Sequence, residues 1–173
     1  AVLDRVSDQA ASLRILDLGT GSGCLLLSLL LEISGASGTG VDISPAALQV
    51  AARNAKRLGC DDRVRWVTGE WEIGLSDVFD IVISNPPYIK RGSLAALEPE
   101  VATFEPSLAL DGGVDGLDSY RRILACVDER LDEDGAVFLE IGSGQETIVT
   151  EIAHQAGLAQ QGIRYDLSGI ARV

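Results

Sequence analysis

The segment Leu13-Arg-Ile-Leu-Asp-Leu18 runs directly into glycines at 19, 21 and 23, and a longer apolar stretch follows over residues 24–33. A short apolar run, a glycine-rich turn and a longer apolar run read as a buried strand feeding a helix. The alternation then repeats. Residues 39–43 read as a second strand. Ser44-Pro45 opens a helix with an N-cap residue and a proline at the first helical position. Apolar spacing carries that helix to Leu58, and Gly59 is its stop. Further strands are expected at 64–67, 79–83, 135–141 and 162–167, with helices at 118–131 and 146–156. Strands alternating with helices imply an α/β fold, with a mostly parallel sheet covered on both faces. Ligands of such sheets bind outside the carboxyl ends of the strands.

Composition excludes several classes. No apolar run reaches the ~18 residues of a membrane span, and no basic-then-apolar leader opens the chain. Three cysteines, at 24, 60 and 126, form no C-x-x-C pair. An odd, scattered set argues for a reducing compartment, and a cytoplasmic location is expected. The single histidine, His154, has no partner at ligand spacing, so no metal is expected. The net charge of −12 argues against direct nucleic-acid binding, which favours a basic face. The first eleven residues read as the end of a helix whose start is missing. Residues 170–173 read as a strand cut short.

The turn Asp17-Leu-Gly-Thr-Gly-Ser-Gly23 lets the backbone approach a ligand closely, with a helix N-terminus behind it. Its G-x-G-x-G spacing is neither the dinucleotide fingerprint nor a P-loop, so a pyrophosphate is disfavoured. Asp17, Gly19, Thr20, Gly21, Ser22 and Gly23 are cofactor-binding candidates. Asp42, with Ile43 beside it, ends the second strand where a carboxylate can accept from two ribose hydroxyls. Glu70 and Trp71 follow the third strand. Trp71 suits either an adenine face or core packing; Trp66, inside the strand, reads as core.

Asn85-Pro86-Pro87-Tyr88 follows the fourth strand and opens a long loop, over residues 84–114, of a length that is usually functional. Two prolines fix φ and remove two donors. The Pro86 carbonyl and the Asn85 side-chain oxygen then form a pair of acceptors for the two hydrogens of an –NH2 group. Tyr88 offers a flat face to a planar amide or base. Acceptors on both hydrogens return electron density to nitrogen, and the remaining catalysis is alignment. The residues alone leave amide and base open.

Four segments carry a family resemblance: Asp17-Leu-Gly-Thr-Gly-Ser-Gly-Cys24, Val41-Asp-Ile-Ser-Pro-Ala-Ala-Leu48, Ser84-Asn-Pro-Pro-Tyr-Ile89, and residues 104–123. Together they resemble HemK-type release-factor glutamine methyltransferases over nearly the whole chain. The last segment is the most specific; Asn-Pro-Pro-Tyr is shared with enzymes that methylate exocyclic amines of bases.

The resemblance implies a Rossmann-like class I methyltransferase sheet of seven strands, the last antiparallel. It implies S-adenosyl-L-methionine (AdoMet) as cofactor and S-adenosyl-L-homocysteine as product. The methyl would go to the N5 side-chain nitrogen of the glutamine in the Gly-Gly-Gln motif of peptide-chain release factors. Asn85 to Tyr88 would hold that amide, with Asn85 also meeting cofactor. Glu105 and Pro106 would shape the substrate entrance. Glu70 departs from the family's usual Asp. Residues 1–173 are expected to be the catalytic domain alone, without the family's N-terminal helical domain, able to bind AdoMet yet methylating poorly. The alternatives are a ribosomal-protein glutamine methyltransferase, whose glycine loop tends to begin with Cys where this chain has Gly19, and an N-methyltransferase of DNA or RNA bases.

Overall fold

A computed structural model of the chain describes residues 1–6, 8–71, 75–98 and 106–173. It forms two compact units, Ala1–Ser84 with Glu129–Phe138 and Asn85–Asp128 with Leu139–Val173.

The first unit is built on a five-stranded sheet. Its strands are β1 (Arg14–Leu18), β2 (Ser37–Asp42), β3 (Val64–Thr68), β4 (Phe79–Ser84) and β5 (Leu131–Leu139), in the order β3-β2-β1-β4-β5. The pairs β1–β2, β1–β4 and β2–β3 are parallel. The chain therefore builds outward from β1 to β3, then crosses back to lay β4 on the other side of β1. That reversal is where open α/β sheets leave a crevice at their carboxyl ends. In register, Leu18 of β1 is the partner of Ser84 of β4. The Ser84 hydroxyl donates to the Leu18 carbonyl at 2.6 Å. The residue after Leu18 is Gly19, the first glycine of the turn, and the residue after Ser84 is Asn85.

Helix α1 is a single turn, Val2–Arg5, shorter than the leading helix expected from the sequence. Helix α2 (Cys24–Glu32) buries Leu26, Leu27 and Leu30 against Ile15, Ile81 and Ile83 of the sheet. Helix α3 (Pro45–Leu58) has the limits its caps dictate. The Ser44 hydroxyl accepts from the Ala47 N–H at 3.2 Å, and Gly59 ends the helix at φ 70°.

Several boundaries differ from the sequence expectation. Residues 118–131 divide into a helix ending at Val127, a 3₁₀ turn over Asp128–Arg130, and the start of β5 at Leu131. β5 thus begins among the acidic residues before Gly135 and ends before Glu140. It lies at the edge of the sheet, where charged side chains are tolerated because one side stays in solvent.

The second unit holds α4 (Ser107–Leu110), α5 (Asp118–Val127) and α6 (Glu146–Gln155). α5 packs on α6 and buries Tyr120, Ile123, Leu124 and Val127. The expected strand at 162–167 is absent. Asp166 Oδ1 accepts from the N–H groups of Ser168 and Ile170, turning the chain sharply, and one antiparallel bridge, Tyr165 to Ala171, remains. Five strands, not seven, are therefore found among the described residues. No described helix is long and apolar enough to cross a membrane.

Candidate active site

In the first unit the glycine turn is tied down by the strand beside it. The N–H groups of Gly19 and Thr20 both donate to the Val41 carbonyl, each at 2.9 Å. Gly21 N–H donates to Asp42 Oδ2 at 2.8 Å, and Ser44 N–H to Asp42 Oδ1 at 2.8 Å. Gly23 N–H turns back to the Thr20 carbonyl at 2.9 Å, and the Asn54 amide of α3 holds the Ser22 carbonyl at 3.0 Å. Most of the turn's own donors are thus spent on the protein. Such a turn makes a poor anion nest and suits a ligand that comes close without a pyrophosphate.

Room for that ligand is uneven. A side chain at Gly19 would meet the Trp71 ring at 3.1 Å, whereas Gly21, at φ 56°, has nothing within 4 Å of where a Cβ would stand. Trp71 is half-buried, with its ring edge over the first glycine. The structure thus brings together Gly19, Gly21, Asp42 and Trp71. Each Asp42 oxygen accepts one backbone N–H and keeps further acceptor capacity. Ile43 and Glu70 are exposed beside them. These residues fit an adenosine-bearing group: two carboxylate oxygens for ribose hydroxyls, an indole, and open space over Gly21. Among the described residues, no group of three His, Cys, Asp or Glu could hold a metal ion.

Asp17 lies beneath this surface, only 1% exposed. Its Oδ2 accepts from the Thr20 hydroxyl at 2.6 Å. Burial pushes its carboxyl up to about 7; Thr20 and the Leu26 N–H oppose that rise, and the Asp42 charge adds to it. Asp17 braces the turn from behind.

The unfolded chain gives up the Asp17 proton near 3.8 and the folded protein near 7, so folding binds a proton between those values. Stability therefore falls as pH rises through that window, by about 1.4 kcal/mol per unit, and levels off above it. Asp17→Asn keeps the shape and removes the titration. Urea denaturation at about pH 5 and about pH 7.5 is expected to show a drop in wild type roughly 2–3 kcal/mol larger than in the variant. Equal drops would mean that Asp17 is not the proton-binding group.

In the second unit, Asn85 is exposed, Pro86 buried, and Pro87 and Tyr88 half-buried. No hydrogen bond to another described residue engages the Asn85 carboxamide or the Pro86 carbonyl. The loop is fixed further along, where Ile89 N–H donates to the Leu110 carbonyl at 3.0 Å and Gly112 N–H to the Ile89 carbonyl at 2.8 Å. Gly112 is needed there, because a Cβ would stand 2.8 Å from Tyr88 Cα. Burial and the neighbouring Glu140 carboxylate push the Tyr88 phenol up, and Arg172 opposes them.

Pro106 is the exposed N-cap of α4, the helix whose last carbonyl takes the Ile89 N–H. Glu105 lies outside the described residues. Glu140 and Arg172 were not apparent from sequence, since neither stands within a motif.

Residues 9–112 match the family model described as a methyltransferase domain. The release factor glutamine methyltransferase of Rhodospirillum rubrum is 50% identical over 159 residues, 92% of this chain and 49% of that protein. The ribosomal protein uL3 glutamine methyltransferase of Bradyrhizobium diazoefficiens is 48% identical over 136 residues, 78% of this chain and 42% of that one. The chain thus spans about half the length of the curated relatives it matches.

Among solved structures, the ribosomal protein L11 methylase of Lactobacillus delbrueckii subsp. bulgaricus superposes with a TM-score of 0.69 at 18% identity, covering 98% of this chain and 72% of that one. A SAM-dependent methyltransferase of Geobacter sulfurreducens, in complex with S-adenosyl-L-homocysteine, gives 0.53 at 22% identity, covering 80% and 44%. A Rossmann-like, mostly parallel sheet with a glycine turn after its first strand, matched over most of its length by that family model, places the chain in the methyltransferase-domain family.

Proposed function

We propose that residues 1–173 are a catalytic domain that methylates the N5 side-chain nitrogen of a glutamine, in the Gly-Gly-Gln motif of peptide-chain release factors. AdoMet, when bound, supplies an electrophilic methyl group. Asp42 would hold its ribose hydroxyls, Trp71 would lie against its adenine, and the turn from Gly19 to Gly23 would let it approach the backbone. The observation that carries the acceptor role is the pair of acceptors that follows β4, the Asn85 side-chain oxygen and the Pro86 carbonyl, which no hydrogen bond from another described residue engages. The two amide hydrogens of glutamine match them.

An amide lone pair is delocalised into its carbonyl. Two acceptors on the hydrogens draw density back to nitrogen and fix the direction of attack. Tyr88 covers one face of the amide and limits its rotation. As nitrogen bonds to methyl, the methyl–sulfur bond would break and S-adenosyl-L-homocysteine would leave; nitrogen becomes cationic and gives up a proton to water afterwards, so no strong base is needed at the start. Release factors as the substrate are supported by the names of relatives such as that of R. rubrum. The similar identity to the uL3 enzyme supports a second reading, with a ribosomal-protein glutamine as acceptor.

The test uses AdoMet carrying a labelled methyl group, with release factor, ribosomal protein uL3, DNA and RNA as acceptors. Label is expected in release factor and absent once the Gly-Gly-Gln glutamine is replaced. Equal labelling of that variant would sink the substrate assignment. Label in uL3 alone would establish the second reading, and label in nucleic acid would move the site to base amines.

A further inference from the structure

Two consecutive prolines leave the centre of the Asn85–Tyr88 loop without amide donors, so the loop can be anchored there only through its acceptors. The donor must come from elsewhere, and it comes from Gln145, the residue before α6. Gln145 Nε2 donates to the Tyr88 carbonyl at 3.1 Å and to the Gly116 carbonyl at 3.2 Å. Its Oε1 accepts from the Gly142 N–H at 2.9 Å. The Tyr120 hydroxyl, which donates to the Glu140 carbonyl at 2.9 Å, stands 3.3 Å from the same oxygen. With both amide hydrogens on carbonyls and a backbone N–H on the oxygen, the carboxamide has one orientation.

That side chain joins three segments distant in sequence: the loop at Tyr88, the turn at Gly116, and the turn from Gly142 to Gln145. Glycines make the junction possible. A Cβ at Gly142 would stand 2.9 Å from Cδ2 of the Tyr88 ring, and one at Gly116 would run into the Tyr88 carbonyl. Small residues therefore admit Tyr88, and a single carboxamide holds it by its backbone.

We propose that Gln145 is a positioning residue for methyl transfer, acting through the Tyr88 carbonyl to fix the face against which the acceptor amide lies. This rests on the reading of Asn85 to Tyr88 as the acceptor site. Two variants test it. Gln145→Glu is nearly isosteric and replaces the NH2 group by an oxygen that repels the Tyr88 and Gly116 carbonyls. Gln145→Ala removes the strut. Should the alanine variant fail to melt cooperatively, the glutamate variant carries the test.

Turnover is expected to fall about 10²-fold in both, the scale of a displacement of about an ångström at the reacting centre. AdoMet affinity, measured by calorimetry, stays near the wild-type value. Protonation gives the glutamate variant a hydroxyl that donates to the Tyr88 carbonyl. Its activity relative to wild type therefore rises as pH falls, while the ratio for the alanine variant stays flat. A side chain that only supported folding would leave the turnover of the folded fraction at the wild-type value in both variants.

Wild-type turnover in both folded variants overturns the proposal, as does a loss of AdoMet affinity in step with turnover. If wild type itself modifies no Gly-Gly-Gln glutamine, the acceptor reading has failed, and hydrogen exchange decides on the anchoring. Faster exchange at Ile89 and Gly112 in both variants supports it; unchanged exchange overturns it.

Discussion

Replacing Asn85 by alanine is expected to lower turnover by a factor of about 10² to 10³ while leaving most cofactor affinity in place. The size follows from what the side chain does. An acceptor on an amide hydrogen strengthens its bond as positive charge gathers on nitrogen, so it stabilises the transition state more than the bound substrate. Its loss appears in kcat and not only in KM. The side chain is exposed, and no described hydrogen bond ties it to the fold, so its removal should leave the melting temperature close to wild type. Single-turnover methyl transfer, calorimetry with AdoMet and a melting curve together separate the two roles assigned to Asn85. Normal turnover would refute the two-acceptor mechanism. A loss confined to AdoMet affinity would make Asn85 a cofactor residue alone.

Gly40→Val should damage the fold more than any substitution in the glycine turn. Gly40 on β2 stands opposite Trp66 on β3. A Cβ there would overlap Cζ3 of the indole, lie 2.6 Å from Cε3, and stand 3.1 Å from the Thr20 methyl. The indole also packs along Gly23, at 3.0 Å from a Cβ there, and against the buried core cluster, so it cannot shift without losing those contacts. Overpacking of this kind costs about 1–3 kcal/mol and sometimes more. For a chain of this length that lowers the melting temperature by up to roughly 10 °C. Because the indole and Thr20 adjoin the turn, AdoMet affinity should fall with it. The double variant Gly40→Val/Trp66→Leu should recover part of the loss, since the two sites share one space. A single variant that melts with wild type would show that the indole moves aside freely.

What could be read from sequence was what short-range chemistry determines. Ser44, Pro45 and Gly59 bound α3 because caps act within a few residues. The glycine turn and Asn85-Pro-Pro-Tyr88 could be placed at strand ends because apolar runs stop just before them. β5 was misplaced because Asp132, Glu133 and Asp134 look like a loop. Its pairing beside β4 at the edge of the sheet overrides that local polarity. The strand expected at 162–167 failed for the opposite reason: its composition suits a strand, but Asp166 captures the backbone as a turn. Nor could sequence show that Gln145 reaches Tyr88, since the two are 57 residues apart and neither determines the other locally.

The Val41 carbonyl, which takes the N–H groups of both Gly19 and Thr20, makes the turn an extension of β2 rather than a free flap. Anyone recasting this domain to accept an enlarged cofactor analogue would therefore gain little from loosening the turn itself. Space on the Gly19 side is already occupied by the Trp71 ring, whereas the Gly21 side lies open. An added group should be directed over Gly21, and trimming Trp71 is the first change to make if it must point the other way.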